Sequence, residues 1–237
     1  EPLSRTLKKP LIPIGEYPIA LHIIRTILRS NITDIVIVIG PEDSEMEETI
    51  TIDTIKACCS EIQVDWNQVK IDFYVQEKAA GMADAVNSVR KFLLQADGKY
   101  SPFLLTAADI YFGDNVPSDL VNRFKACNGK SVLAIASSND DSLAESHGNV
   151  LIKEGKIVKI IEKPGKDKTS NDYSMPMYVF TGELFNFLDK VQESSRGEKE
   201  LQDAIQMMIS HGAEVYPAKV LEDNIYTTKD AGKYHLT

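Results

Sequence analysis

Cysteine, basic charge and long apolar runs are all scarce in this chain, and each shortage excludes something. The 237 residues include only three cysteines, Cys58, Cys59 and Cys127. They show neither C-x-x-C spacing nor an even set for disulfides, so a reduced, cytosolic chain is expected. The adjacent Cys58-Cys59 pair reads as packing on a helix. Apolar stretches such as residues 19–24 and 35–39 fall far short of the ~20 residues a bilayer span needs, and no secretory leader is read at the start. Lysine and arginine number 26 against 35 acidic residues, a net charge of −9. That balance argues against a nucleic-acid footprint and a polybasic membrane patch. It leaves an anionic substrate open, because a few lysines in a cleft outweigh a distant acidic face. His22, His147, His211 and His235 lack metal-ligand spacing, and no G-x-S-x-G elbow exists, which removes the hydrolase readings. Asn128-Gly-Lys-Ser131 imitates the end of a P-loop, but Phe124 stands at the required upstream glycine, leaving a turn before a strand.

What remains is an ordinary globular composition, 43% apolar and 26% charged, within the size of one large α/β domain. Ile19, Ile23 and Ile27 form one stripe with Leu28 beside it, predicting a helix over 18–30 that stops at Asn31. The β-branched run 34–39 has no polar alternation, as suits a strand buried on both faces. Helix is expected over 42–60, strand over 69–76, helix over 82–94, an apolar run over 102–109, helix over 117–126 and strand over 131–137. This alternation predicts a Rossmann-like, doubly wound, mostly parallel sheet. Beyond residue 137 the pattern changes. Two strands flank Glu154-Gly155 as a hairpin, and a strand over 173–181, helices over 182–192 and 198–210, a strand over 215–220 and a last helix over 228–234 follow. The expectation is a single domain of two lobes, about 1–137 and 138–237, the second a mixed α/β insertion sharing one core with the first.

Six segments, in order along nearly the whole chain, carry a family resemblance: Glu1-Pro-Leu with Lys9-Pro-Leu-Ile-Pro-Ile14; Gln76 with Gly81-Met-Ala-Asp-Ala85; Ala108-Asp109; His147-Gly148-Asn149-Val150 with Glu162-Lys163-Pro164; Arg196-Gly-Glu-Lys-Glu-Leu-Gln-Asp203; and Asn224-Ile-Tyr-Thr227 with Asp230. E-K-P alone occurs by chance, but the ordered set resembles the sugar nucleotidyltransferases, which include glucose-1-phosphate thymidylyl- and uridylyltransferases. The resemblance implies transfer of a nucleotidyl group from a pyrimidine nucleoside triphosphate, dTTP or UTP, to a sugar 1-phosphate such as glucose 1-phosphate, with Mg²⁺. Lys9, Asp109 and Lys163 would be the catalytic groups, and Lys9, Gln76 and Gly81 would bind nucleotide. Gly148, Glu162, Lys163 and Tyr178 would bind sugar in the second lobe, and Asp109 with Asn224 or its neighbour Asp223 would hold metal. A homo-oligomer is expected, with no nucleic-acid or membrane partner.

The residue chemistry is compatible with these roles. Lys9 taken alone reads as a solvated lysine, although an ammonium in a loop could meet a triphosphate. Asp109 ends an apolar strand at the carboxyl edge, where open α/β sheets bind ligands, and a carboxylate there suits Mg²⁺ or caps a helix. Glu162 and Lys163 leave a strand on opposite sides unless the backbone bends at Pro164. Gln76 offers a donor and an acceptor to the edge of uracil or thymine, and Gly81 permits close backbone approach; a plain strand end and helix start is the rival for both. Several positions depart from the family pattern: Ala108 for glycine, His147 for tyrosine, Pro176 for glycine and Asn224 for aspartate. A strand and a glycine-rich phosphate loop are expected upstream of Glu1. The competing class is a non-catalytic regulatory or assembly subunit, against which the joint retention of Lys9, Gln76, Asp109 and Glu162-Lys163 weighs.

Overall fold

The computed structural model describes residues 7–221 and 225–227. In chain order the strands are β1 (Pro13–Ile14), β2 (Tyr17–Pro18), β3 (Asp34–Ile39), β4 (Lys70–Val75), β5 (Phe103–Thr106), β6 (Ile110–Tyr111), β7 (Ser131–Ser137), β8 (Gly148–Lys153), β9 (Lys156–Glu162), β10 (Asp172–Phe180), β11 (Val215–Lys219) and β12 (Tyr226–Thr227). The α-helices are α1 (Ile19–Arg29), α2 (Ser44–Thr49), α3 (Ile52–Cys58), α4 (Met82–Ser88), α5 (Val116–Ala126), α6 (Asp141–Ser146), α7 (Phe185–Leu188) and α8 (Leu201–Ser210). The described residues divide into two compact units: 7–77, 107–118 and 225–227, and 78–106 and 119–221. The division is discontinuous and differs from one at residue 137, because β5 and β7 are laddered with the later strand β10.

In the first unit, β3 and β4 pair in parallel along six rungs, from Asp34↔Lys70 to Ile39↔Val75. The helical crossover between them satisfies the requirement of a parallel pair. α1 buries almost its whole length, Ile19 to Ile24 included, and Asn31 ends it with φ +60°, a value asparagine tolerates. The helix expected over 42–60 is two helices. Thr51 is extended and exchanges hydrogen bonds with Thr54, Thr54 N–H to Thr51 Oγ1 at 3.2 Å and Thr51 N–H to Thr54 Oγ1 at 3.0 Å. That capping box starts α3 afresh.

The second unit is built on a six-stranded mixed sheet in the order β11-β7-β10-β8-β9, with β5 also on β10. β11 runs parallel to β7, whereas β10 runs antiparallel to β7, β5 and β8. Strands β5, β7 and β11 therefore share one direction, with β10 reversed among them. The β10–β7 register breaks between Ser174 and Tyr178, the stretch containing Pro176, which has no N–H to offer a ladder. β7 supplies Leu133 and Ile135 to a core shared with Val150, Phe180, Leu201 and Ile205. Glu154 and Gly155 close the β8–β9 hairpin with φ +49° and +73°, as a two-residue turn demands. The helices expected over 82–94 and 182–192 break into short α and 3-10 pieces, 82–88 with 90–93 and 185–188 with 182–184. The short α6, capped by the Asp140 side chain accepting from Ser142 N–H at 2.9 Å, has too few residues for a periodic signal. The helix expected over 228–234 lies outside the described residues.

Candidate functional site

In the first unit, Lys9 opens a 3-10 turn, Lys9–Leu11, whose second residue Pro10 needs no hydrogen-bond acceptor. Asp109 lies between β5 and β6, and the segment after it is firmly tied. Tyr111 donates to Asp114 at 2.6 Å, and Arg25 at 3.2 Å and Arg29 both pair with Asp114. Burial pushes the Asp114 carboxyl up, but the Tyr111 hydrogen bond and the two guanidinium groups outweigh it and hold the group below its usual range. Asp109 and Lys9 face each other across 3.8 Å and line a cavity of about 400 Å³. Its wall is Val38, Ile39 and Met46, and Lys8 and Asp43 share its lining. Lys8 Nζ is 2.8 Å from Asp43, which also accepts from Gly40 N–H at 2.8 Å. The Lys8 hydrogen bond holds the Asp43 carboxyl below its ordinary value. Two lysines and two aspartates thus line one cavity, the arrangement for exchanging internal ion pairs for phosphate oxygens. Lys8 and Asp43 escape sequence reasoning; only the Lys8-Lys9 doublet hints at the first, and nothing marks the second.

Gln76 follows β4, its N–H closing the ladder on Ile39 O at 2.7 Å. Gly81 caps α4 with φ +95°, in the second unit. The close approach it permits is to the backbone of Lys199: a Cβ at Gly81 would lie 2.6 Å from Lys199 O. The glycine is thus accounted for by local packing. Asn224 and Asp223 lie outside the described residues.

The second unit brings Gly148, Glu162 and Lys163 together. Gly148 and Glu162 are directly paired across β8 and β9. Lys163 takes φ +42°, and Pro164 then turns into an αR conformation. This bend is what puts the two side chains on one side, with Lys163 Nζ 3.7 Å from Glu162 Oε1. Burial raises the Glu162 carboxyl above its ordinary value; Lys163 pulls it down, Glu200 pushes it up and Arg196 pulls it down again. Gly148 is needed because a Cβ would sit 2.5 Å from Ser174 Oγ and 3.1 Å from Gln202 Cγ. Ser174 Oγ is itself buried. Tyr178 corrects one expectation: the residue is 1% exposed, its ring tilted against that of Phe180 with centroids 5.4 Å apart in the core. It supports the strand rather than offering a surface to a sugar.

A nucleotidyl transferase family model matches residues 1–224, and the chain belongs to that family. The bifunctional protein GlmU of Methanococcus maripaludis is 29% identical over 213 residues, covering 89% of this chain and 44% of the relative. This chain therefore spans less than half the length of that protein. A Bacillus subtilis protein provisionally named UTP–glucose-1-phosphate uridylyltransferase is 24% identical, covering 95% of this chain and 85% of that one. The crystal structure of a UDP-glucose pyrophosphorylase with UDP-glucose superposes with a TM-score of 0.74 at 18% identity, over 92% of this chain and 85% of that chain. The fold is that of the sugar nucleotidyltransferases. No helix among the described residues is long and apolar enough to cross a membrane.

Proposed function

We propose that this chain transfers a nucleotidyl group from a pyrimidine nucleoside triphosphate to a hexose 1-phosphate, glucose 1-phosphate being the reference acceptor, and releases pyrophosphate. The observation that carries the reading is the cavity of the first unit, where Lys9 and Asp109 stand 3.8 Å apart beside the Lys8–Asp43 pair. A phosphate oxygen of the hexose 1-phosphate attacks the α-phosphorus, and the bond to the β-phosphate bridging oxygen breaks. No protein nucleophile is required, so catalysis is alignment and charge neutralisation.

The donor set of the first unit fits Mg²⁺. Asp109 is a part-exposed carboxylate on the cavity, and Mg²⁺ in nucleotide sites takes one or two carboxylates plus phosphate oxygens and water. When bound there, Mg²⁺ supplies charge neutralisation at the reacting phosphates. Asp109 holds it, Lys9 meets the leaving phosphates, and Gln76 hydrogen-bonds the base edge. In the second unit Glu162 accepts from sugar hydroxyls and Lys163 orients the attacking phosphate.

Pyrophosphate release with UTP, dTTP, ATP and GTP against several hexose 1-phosphates, with and without Mg²⁺, tests the reading. Release is expected only when triphosphate, Mg²⁺ and sugar phosphate are all present, with pyrimidines favoured by about tenfold or more, since a mismatched base edge leaves buried groups unpaired. Silence with every pyrimidine triphosphate and sugar phosphate overturns it in favour of a non-catalytic regulatory or assembly role.

A further inference from the structure

The charge cluster around Glu162 has a third member that is more deeply buried. Glu200 is 8% exposed, an uncommon place for a glutamate unless its charge is partnered. Its Oε1 accepts from Arg196 Nη2 at 2.6 Å and from the Ser194 hydroxyl at 2.8 Å. The same Arg196 nitrogen stands 3.4 Å from Glu162 Oε1, where Lys163 approaches at 3.7 Å. One guanidinium is therefore divided unequally between two carboxylates, with the tighter bond to the buried one. Asp203 faces Glu200 from α8, Tyr178 faces Glu162 from β10, and Lys163 N–H donates to His147 O at the start of β8.

We propose that Glu200 is a positioning residue: by holding Arg196 it keeps the guanidinium from closing on Glu162, whose oxygens then remain available to a polyhydroxylated ligand. The ligand's identity as a sugar 1-phosphate rests on the reading above; the electrostatics do not. A guanidinium on a carboxylate makes a charge-assisted bond roughly twice as strong as a neutral one. An Arg196 released from Glu200 would outcompete hydroxyl groups for Glu162. Burial strengthens the Glu200 hold, because a pair in low dielectric interacts more strongly than one in water.

Two variants with opposite signs test this. Glu200→Gln keeps the shape and can still accept from Ser194, but frees Arg196 to close on Glu162 and removes a repelling charge. The Glu162 titration midpoint, read by ¹³C NMR of glutamate-labelled protein, is expected to fall. Arg196→Met removes an attracting cation, and the midpoint is expected to rise. Glu200→Asp keeps the charge and is expected to leave it near the starting value. In turnover, Glu200→Gln is expected to raise KM for the hexose 1-phosphate about tenfold while kcat and KM for the triphosphate change less than about twofold. Midpoints that move together, or not at all, overturn the inference, as does an unchanged sugar-phosphate KM in an active enzyme. If Glu200→Gln does not fold, a rise in Arg196→Met with no movement in Glu200→Asp supports the inference and any other pattern overturns it. Opposite midpoint shifts in a protein with no transferase activity sink the transferase reading and leave the positioning role standing.

Discussion

The two units hold their candidate groups by different means. In the first, Lys9 and Asp109 sit on a 3-10 turn and a loop, are separated by 3.8 Å, and have 58% and 31% of their side-chain surface exposed. In the second, Glu162 ends a seven-residue strand, is 15% exposed, and is reached by both Lys163 and Arg196. A triphosphate brings enough charge to organise loosely held partners, whereas neutral sugar hydroxyls require acceptors already in place. The contrast predicts that variants in the first unit impair chemistry with little change in stability, and that variants in the second alter both.

The largest expected effect is that of Asp109→Asn. Removing the carboxylate should lower kcat by a hundredfold or more, the order of magnitude seen when one transition-state-stabilising group is lost. The melting temperature should change little, since asparagine keeps the shape of the side chain and the ion pair lost is a 3.8 Å contact with an exposed lysine. A variant with near-normal Mg²⁺-dependent turnover would remove Asp109 from the reaction and break the comparison at its first term.

Next comes Asn149, which is 1% exposed and carries the loop after Lys163. Its Nδ2 donates to Ser170 O at 3.0 Å and Asp172 O at 2.9 Å, and its Oδ1 accepts from Thr169 N–H at 2.6 Å and Thr169 Oγ1 at 3.0 Å. Asn149→Leu strands those backbone groups in a buried place, at about 2–4 kcal/mol for several unsatisfied partners. Chemical denaturation should show a lowered midpoint with an unchanged slope. A shift within experimental error would mean that water replaces the amide.

Glu162→Gln should expose a conflict between binding and stability in the second unit. The folded-state pKa of Glu162 lies above the ordinary glutamate value of 4.5, chiefly through burial. A group so shifted contributes stability that is present below the unfolded pKa and lost as pH rises through the folded pKa. Glutamine carries no such loss, so the variant should gain stability relative to the parent at pH 7–8 and lose the advantage below pH 4.5, while KM for the hexose 1-phosphate rises. Thermal melts at both ends of that range give the sign, and a gain that is greater in acid would reverse the assignment.

What could be read without the fold follows the reach of the interactions involved. β3 and the β8–β9 hairpin were legible because their signals are local: a continuous β-branched run, and a Glu154-Gly155 turn that both residues enter with positive φ. Asn31 was legible for the same reason. The break between α2 and α3 was hidden because Thr51 and Thr54 are unremarkable until their side chains meet their own backbone. Glu162-Lys163 was recognisable as a motif, but the side on which each residue falls depended on the left-handed turn at Lys163. Asp43 and Glu200 were illegible for a more basic reason. Asp43 meets Lys8 from far along the chain, and the local Arg196–Glu200 pair gains its meaning only because the same guanidinium also stands beside the distant Glu162. Tyr178 was misplaced for the converse reason: a family motif marks position, and burial alone decides whether the ring faces ligand or core.

The smallest effect expected is that of Lys8→Met, and it tests whether the first unit's charges act on structure or on ligand. Lys8 is exposed, and a pair such as Lys8–Asp43 pays side-chain entropy and is screened by salt, so little stability should depend on it. What little there is has a defined sign. Lys8 lowers the Asp43 pKa below 3.8, so its contribution is present above that value and lost as pH falls through the folded pKa. Melting temperatures of parent and variant should therefore differ slightly at neutral pH in low salt, and coincide in high salt or strong acid. If the lysine serves the triphosphate, its loss should instead raise KM for that substrate, with a salt dependence shallower than the parent's because one cation fewer meets the phosphates. An unchanged KM at low ionic strength would leave Lys9 and Asp109 as the cavity's working groups and reduce Lys8 to a surface partner of Asp43.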